Sequence, residues 1–255
     1  MNTALVLSYL GTGYHGWQRQ NNGMTIQQLL EEAAAASCGL EPSVSGCGRT
    51  DAGVHAKYYV CNFKGEIRIP LSRLPFALNA YLPSAVAVQK AFPVPETFDA
   101  RFSCQSKEYT YLFYSSRLPD PFWFDRACFC PQALDTAAMV EAASSFVGTQ
   151  DFAAVRSVGT PVRSTVRTVL SCSAERRGAA ILIRAEADGF LYNMVRAIAG
   201  TLMYVGIGKL RPEDIPEILA SRDRERAGPT APACGLYMTA LRYGIPELDG
   251  KAEVL

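Results

Sequence analysis

"STVRTVLSCSAERRGAAILIRAEAD", residues 164–188, reads as two strands on either side of a turn. The first flank carries valine, threonine and leucine and the second an Ile-Leu-Ile run, and Arg177-Gly178 marks the point where the chain reverses. A hairpin pairs its strands antiparallel. Downstream, residues 189–208 read as a long helix ending at glycines. Residues 211–221 read as a short helix opened by Pro212, and 235–244 as a last strand. Upstream, 103–116 reads as a strand and 121–125, "PFWFD", as a loop with exposed aromatics. Residues 132–148 read as a helix stopped by Gly148.

The first hundred residues follow a similar plan. Residues 3–10 read as a strand and 11–23 as a turn-rich loop. Residues 25–37, "TIQQLLEEAAAAS", form a helix with a Thr25–Gln28 capping box and an apolar face of Ile26, Leu29, Leu30 and Ala33. Residues 54–67 and 85–94 read as strands around a short helix in 71–83. The mixture lacks the strand-helix rhythm of a parallel doubly wound sheet. It predicts an α+β fold of two similar halves, each an antiparallel sheet flanked by helices, meeting around a central cleft. The halves are expected at residues 1–103 and 104–245, followed by an acidic tail at 246–255, "PELDGKAEVL" in its wider context.

Composition narrows the class. The 255 residues are 49% hydrophobic and 19% charged, enough for one large core or two modest ones. The opening "MNTALVLSYL" has no basic leader and no small-residue cleavage site, and reads as a strand. No apolar run reaches the length of a membrane span. Eight cysteines at 38, 47, 61, 104, 128, 130, 172 and 234 have no regular spacing, which suits reduced thiols in the cytoplasm. Cys128-x-Cys130 has the wrong spacing for a zinc knuckle, and two histidines are too few for an obvious metal centre. Net charge is +1, yet 19 of the 25 cations are arginine, whose planar fork suits phosphate and base edges.

Charge and flexibility concentrate in "GCGRTDAGVHA", residues 46–56. Gly46, Gly48 and Gly53 disfavour a regular element, and the loop holds Arg49, Asp51 and His55. Asp51 is then either a nucleophile or base held in fixed orientation, or an Asx-turn residue paired with Arg49 at the surface. The chain has no H-E-x-x-H and no G-x-S-x-G, and no second acid sits in comparable surroundings.

"GTGYHG", residues 11–16, matches G-x-G-x-x-G after a strand. A dinucleotide site needs those glycines to open a helix at once, whereas the next helix starts near Thr25. "GIGK" at 206–209 lacks the upstream glycine of a phosphate loop and has Leu210 where Ser or Thr belongs. Neither motif implies a nucleotide cofactor.

"SGCGRTDAGVHA" (45–56) resembles the signature of the tRNA pseudouridine synthase A family. Further blocks follow in that family's order: "YLGTGYHGWQRQ" (9–20), "TIQQLLEEA" (25–33), "LNAYLP" (78–83), "FDARFSCQSKEYTY" (98–111), "FVGTQDF" (146–152) and "GFLYNMVRAIAGTLMYVGIGK" (189–209). The resemblance runs from about residue 5 to 243. It implies that Asp51 is the catalytic aspartate and that Tyr109 stacks on the target base. It further implies that Arg196 pairs with the catalytic carboxylate and that Arg49 helps draw the nucleotide from the RNA. His55 matches a position of unassigned role. Without the resemblance, Tyr109 in "KEYTYLF" reads as a strand-core residue. Arg196 stands out as a lone cation in an apolar helix, which needs a carboxylate or several acceptors.

Two places depart from the family pattern: Leu10, where aspartate is usual, and Tyr58-Tyr59, where a Gly-Gln pair is common. The implied activity is isomerisation of uridine to pseudouridine at nucleotides 38–40 of the tRNA anticodon stem-loop. It needs no cofactor and no metal, and the family works as a homodimer in the cytoplasm. The cleft between the halves is then the expected RNA site. Arg19, Arg101 and Arg163 are candidate phosphate donors by their position near motif blocks.

Overall fold

The computed structural model describes residues 1–157, 159 and 162–255. In chain order the elements are β1 (Asn2–Tyr9), α1 (Ile26–Cys38), β2 (Ser45–Gly46), β3 (His55–Lys64), α2 (Leu74–Asn79) and β4 (Val86–Val94). Then come β5 (Ser106–Ser115), β6 (Cys128–Cys130), α3 (Thr136–Ser144), β7 (Gly148–Asp151), β8 (Val166–Arg177), β9 (Ala180–Ala187), α4 (Met194–Gly206) and α5 (Ile215–Ser221). The chain closes with β10 (Leu236–Arg242) and β11 (Gly250–Lys251). It forms two compact units: residues 1–105 with 237–255, and residues 106–236. Helices and a strand-rich remainder alternate irregularly in both, as an α+β fold requires.

In the first unit, β1 runs antiparallel to both β3 and β4. β3 also accepts β2, antiparallel, and β10, parallel, with Tyr237 opposite His55. The sheet is therefore mixed, where antiparallel pairing alone was expected. The last strand was expected with the second half, followed by a separate acidic tail; residues 237–255 instead belong to the first unit. β10 lies beside β3, and β11 pairs with β10. Leu248 is fully buried. The Tyr58 hydroxyl donates to the Leu248 carbonyl at 3.0 Å. Pairing between strands 180 residues apart leaves no local trace in the sequence.

α1 begins where expected. Thr25 is extended (φ −128°) and its hydroxyl accepts from the Gln28 N–H at 3.4 Å. Only half of the capping box forms, because the Gln28 amide turns outward to Glu32, 2.8 Å away. Gly39, at φ 65°, ends the helix in the left-handed conformation. Ile26, Leu30, Ala33 and Ala34 supply its buried face.

In the second unit β5, β9, β8 and β7 pair antiparallel in that order, with β6 parallel to β5. β8 and β9 form the hairpin expected from the sequence: Arg177 pairs with Ala180 around Gly178, at φ 62°. Two boundaries differ. α3 stops at Ser144, and Gly148 opens β7 rather than ending the helix. The fully buried Phe146 closes a tighter turn onto the Ala143 carbonyl and takes the chain out of the helix. α4 starts five residues after Gly189, because Asn193 is left-handed (φ 59°) and cannot lie inside a right-handed helix.

Candidate active site

The glycine-rich loop around Asp51 is tied down on several sides. The Cys47 N–H donates to the Val60 carbonyl at 2.9 Å. The Tyr59 hydroxyl donates to the Gly48 carbonyl. The Thr50 carbonyl accepts from the Trp17 N–H at 3.0 Å. The Thr50 hydroxyl meets the Tyr9 hydroxyl at 2.9 Å. A turn closes from the Val54 N–H to the Asp51 carbonyl at 3.1 Å, with Gly53 at φ 80° where a side chain would be strained. Asp51 is half-buried, while Arg49 is exposed and makes no hydrogen bond or ion pair among the described residues. The reading of Asp51 as one partner of a surface pair with Arg49 therefore fails.

The loop's backing is the "GTGYHG" segment. A Cβ on Gly11 would lie 2.0 Å from the Val54 carbonyl oxygen, and one on Gly16 would lie 2.3 Å from the Thr50 oxygen. These glycines permit backbone to meet backbone behind Asp51; none of them opens a helix. The Gly11 N–H donates to His55 Nδ1 at 2.9 Å, so the neutral ring carries its proton on Nε2. His55 is wholly buried with its ring 4.6 Å from that of Tyr237. It ties the two loops together through this bond. His15 is structural too: its imidazole covers Gly23, where a Cβ would be 2.5 Å away.

Both departures from the family pattern take part in this framework. Tyr59 is fully buried and stacks on Trp17 at 4.2 Å. Tyr58 holds the C-terminal segment, and burial, then the nearby Asp249 carboxylate, push its phenol up to about 12. Leu10 is partly exposed, with its N–H on the Ala85 carbonyl at 2.9 Å.

In the second unit Tyr109 lies on β5 opposite Ala185 of β9. It is 8% exposed, with Phe190 edge-on at 5.3 Å. Arg196 lies half-buried in the first turn of α4. Its Nε donates to the Ala231 carbonyl at 2.7 Å and its Nη1 to Asn193 Oδ1 at 2.7 Å. Two of its nitrogens are thus fixed by oxygens of its own unit. Asn193 went unnoticed in the sequence; the signal available was an Asn three residues before the arginine at a helix start.

The phosphate-donor candidates divide. Arg19 is engaged with Glu31 at 2.8 Å. Arg101 and Arg163 are exposed, and Arg101 lies over the Phe102 ring at 5.3 Å. The Arg101–Phe102 turn is stiff because Asp99 Oδ1 accepts from both N–H groups, at 2.8 and 3.0 Å. Burial opposes ionisation of Asp99, but the N–H donors of Phe102 and Arg101 and the Ser45 hydroxyl outweigh it and hold the carboxyl below the usual range.

All eight cysteines are free thiols. Burial pushes Cys128 up to about 11 and Cys172 to about 12, so these thiols stay protonated. Among the described residues no three His, Cys, Asp or Glu side chains are placed to hold a metal, and no helix is long and apolar enough to cross a membrane.

Comparison with known proteins agrees with the motif blocks. A family profile described as tRNA pseudouridine synthase matches residues 5–103 and 142–244. A tRNA pseudouridine synthase A from Acetivibrio thermocellus is 44% identical over 242 residues, covering 95% of this chain and 99% of that protein. One from a Thermoanaerobacter species is 43% identical over the same shares. One from Methylacidiphilum infernorum is 44% identical over 94% of each chain. Among solved structures, a Cbf5-Nop10-Gar1 complex aligns with 92% of this chain and 48% of that one, at 13% identity and a TM-score of 0.40, too low to define the fold.

Proposed function

This chain belongs to the tRNA pseudouridine synthase family, and we propose that it converts uridine to pseudouridine at nucleotides 38–40 of the anticodon stem-loop, with Asp51 as covalent catalyst. The chain is an enzyme, an isomerase of tRNA processing. The observation that carries this reading is identity above 40% with tRNA pseudouridine synthases A along 95% of the chain.

The chemistry is an exchange of bonds within one nucleotide. The N1–C1′ bond breaks, the uracil turns, and a C5–C1′ bond forms. C5 gives up its proton and N1 gains one, so atoms balance without a redox partner or group donor. An ionised carboxylate at Asp51 can add to C1′ of the ribose or to C6 of the uracil; both routes satisfy that balance. The fixed Thr50–Val54 turn supports this role, since it sets the carboxylate's direction before RNA arrives. Arg196 pairs with that carboxylate in this reading, and Tyr109 stacks on the detached uracil. A stem nucleotide must first leave its helix, at a cost of a few kcal/mol. Arg49, exposed two residues before Asp51 and engaged in no ion pair among the described residues, is suited to that extrusion.

In the same reading the two units form similar halves around an RNA-binding cleft, the enzyme is a cytoplasmic homodimer, and two joined positive faces let a chain of net charge +1 hold tRNA. The test is tritium release from C5-labelled uridine in unmodified tRNA transcripts. The expected result is one tritium released per uridine at positions 38–40. No release from those positions would overturn the substrate assignment.

A further inference from the structure

We propose that Asn193 is a positioning residue for Arg196, fixing the guanidinium in the orientation the reaction uses. The inference rests on the reading above that Arg196 serves the reaction. Asn193 is one of three described non-glycine residues with positive φ, at 59°. Such a backbone is adopted readily by glycine and less readily by asparagine.

An asparagine just before a helix would ordinarily cap it, its side-chain oxygen accepting a backbone N–H of the first turn. Here the side chain makes no such bond. Instead Oδ1 accepts from Arg196 Nη1 at 2.7 Å, and Nδ2 donates to Ser157 Oγ at 2.9 Å. The second bond fixes which way round the amide lies, so the oxygen and not the nitrogen faces the cation. Ser157 is itself tied to this turn, its N–H donating to the Tyr192 carbonyl at 3.0 Å. With Nε on the Ala231 carbonyl, two nitrogens of one rigid plane are fixed, and the plane cannot rotate without breaking a charge-assisted bond. The left-handed backbone is what brings the Asn193 amide to this place.

Two substitutions separate the backbone from the amide. Asn193→Gly keeps the left-handed conformation and removes the amide; Asn193→Ala removes the amide and strains the backbone. If the amide positions Arg196, both variants lose kcat by about 100-fold, the scale of a misplaced catalytic contact. KM for tRNA stays within about twofold, and Asn193→Ala lowers the urea midpoint further than Asn193→Gly, which loses the same bonds without the backbone strain. Wild-type kcat in Asn193→Gly would overturn the proposal. So would a raised KM with unchanged kcat, which would make Asn193 an RNA contact. A crystal structure of Asn193→Gly gives a readout independent of activity: a turned guanidinium supports the role, and an unmoved one overturns it. If the wild-type protein forms no pseudouridine, the functional reading fails and this structure alone decides the positioning role.

Discussion

Asp51→Asn abolishes pseudouridine formation and leaves tRNA affinity within a few-fold of wild type. The expected fall in rate is at least about 10⁴-fold, the scale seen when a group that forms a covalent intermediate is lost. Asparagine has the shape of aspartate and keeps the bonds made by the backbone groups of Thr50, Asp51 and Val54 and by the hydroxyl of Thr50. The loop should therefore keep its shape while the carboxylate's charge and nucleophilicity disappear. Affinity should not fall, because a negative charge facing RNA is removed. Tritium release measures the first quantity and gel shift the second. Release at the wild-type rate would end the assignment of Asp51 while leaving family membership intact.

Gly200→Ala destabilises the protein by about 3 kcal/mol, the upper range for forcing a group into packed space. A Cβ at 200 would lie 1.7 Å from the Pro229 carbonyl oxygen, and a Cβ on Gly228 would lie 2.3 Å from the Gly200 oxygen. α4 and the segment 228–231 thus touch backbone to backbone, sealed by the Gly228 N–H on the Thr201 hydroxyl at 3.0 Å. The sign is diagnostic. In an uncrowded helix, Gly→Ala would stabilise by about 1 kcal/mol, so a rise in the urea midpoint would mean that this approach is absent. Activity should fall as well. The displaced segment carries the Ala231 carbonyl that holds Arg196 Nε, and the Ala231 N–H donates back to the Arg196 carbonyl at 3.1 Å.

Local features were readable in the sequence and distant ones were not. The 164–188 hairpin was announced by its β-branched flanks and by Gly178, and α1 by Thr25. The start of α4 was misplaced because "GFLY" is as apolar as the helix behind it; only the left-handed Asn193 marks the boundary. The return of β10 to β3 depends on a partner far back in the chain. Motif matching singled out Asp51, Tyr109 and Arg196 and set "GTGYHG" within a family block, yet it gave that segment no structural reason. Its glycines answer a steric demand set by Thr50 and Val54, forty residues on, and no pattern within six residues can show that. His55 and Tyr59 were equally opaque, since a clamp is defined by what it touches.

The placement of β10 has a consequence on the ribosome. The edge of β3 at His55–Ala56 emerges early, but its partner at Tyr237–Met238 is made only after the whole of residues 106–236. At ~5–20 residues per second that interval is roughly 10–35 seconds. Throughout it the second unit gathers all of its own strands, while the first lacks β10, β11 and the buried Met238, Leu241 and Leu248. The part of the chain translated first is therefore the last to be completed, and its waiting strand edge is open meanwhile to pairing with a neighbouring chain.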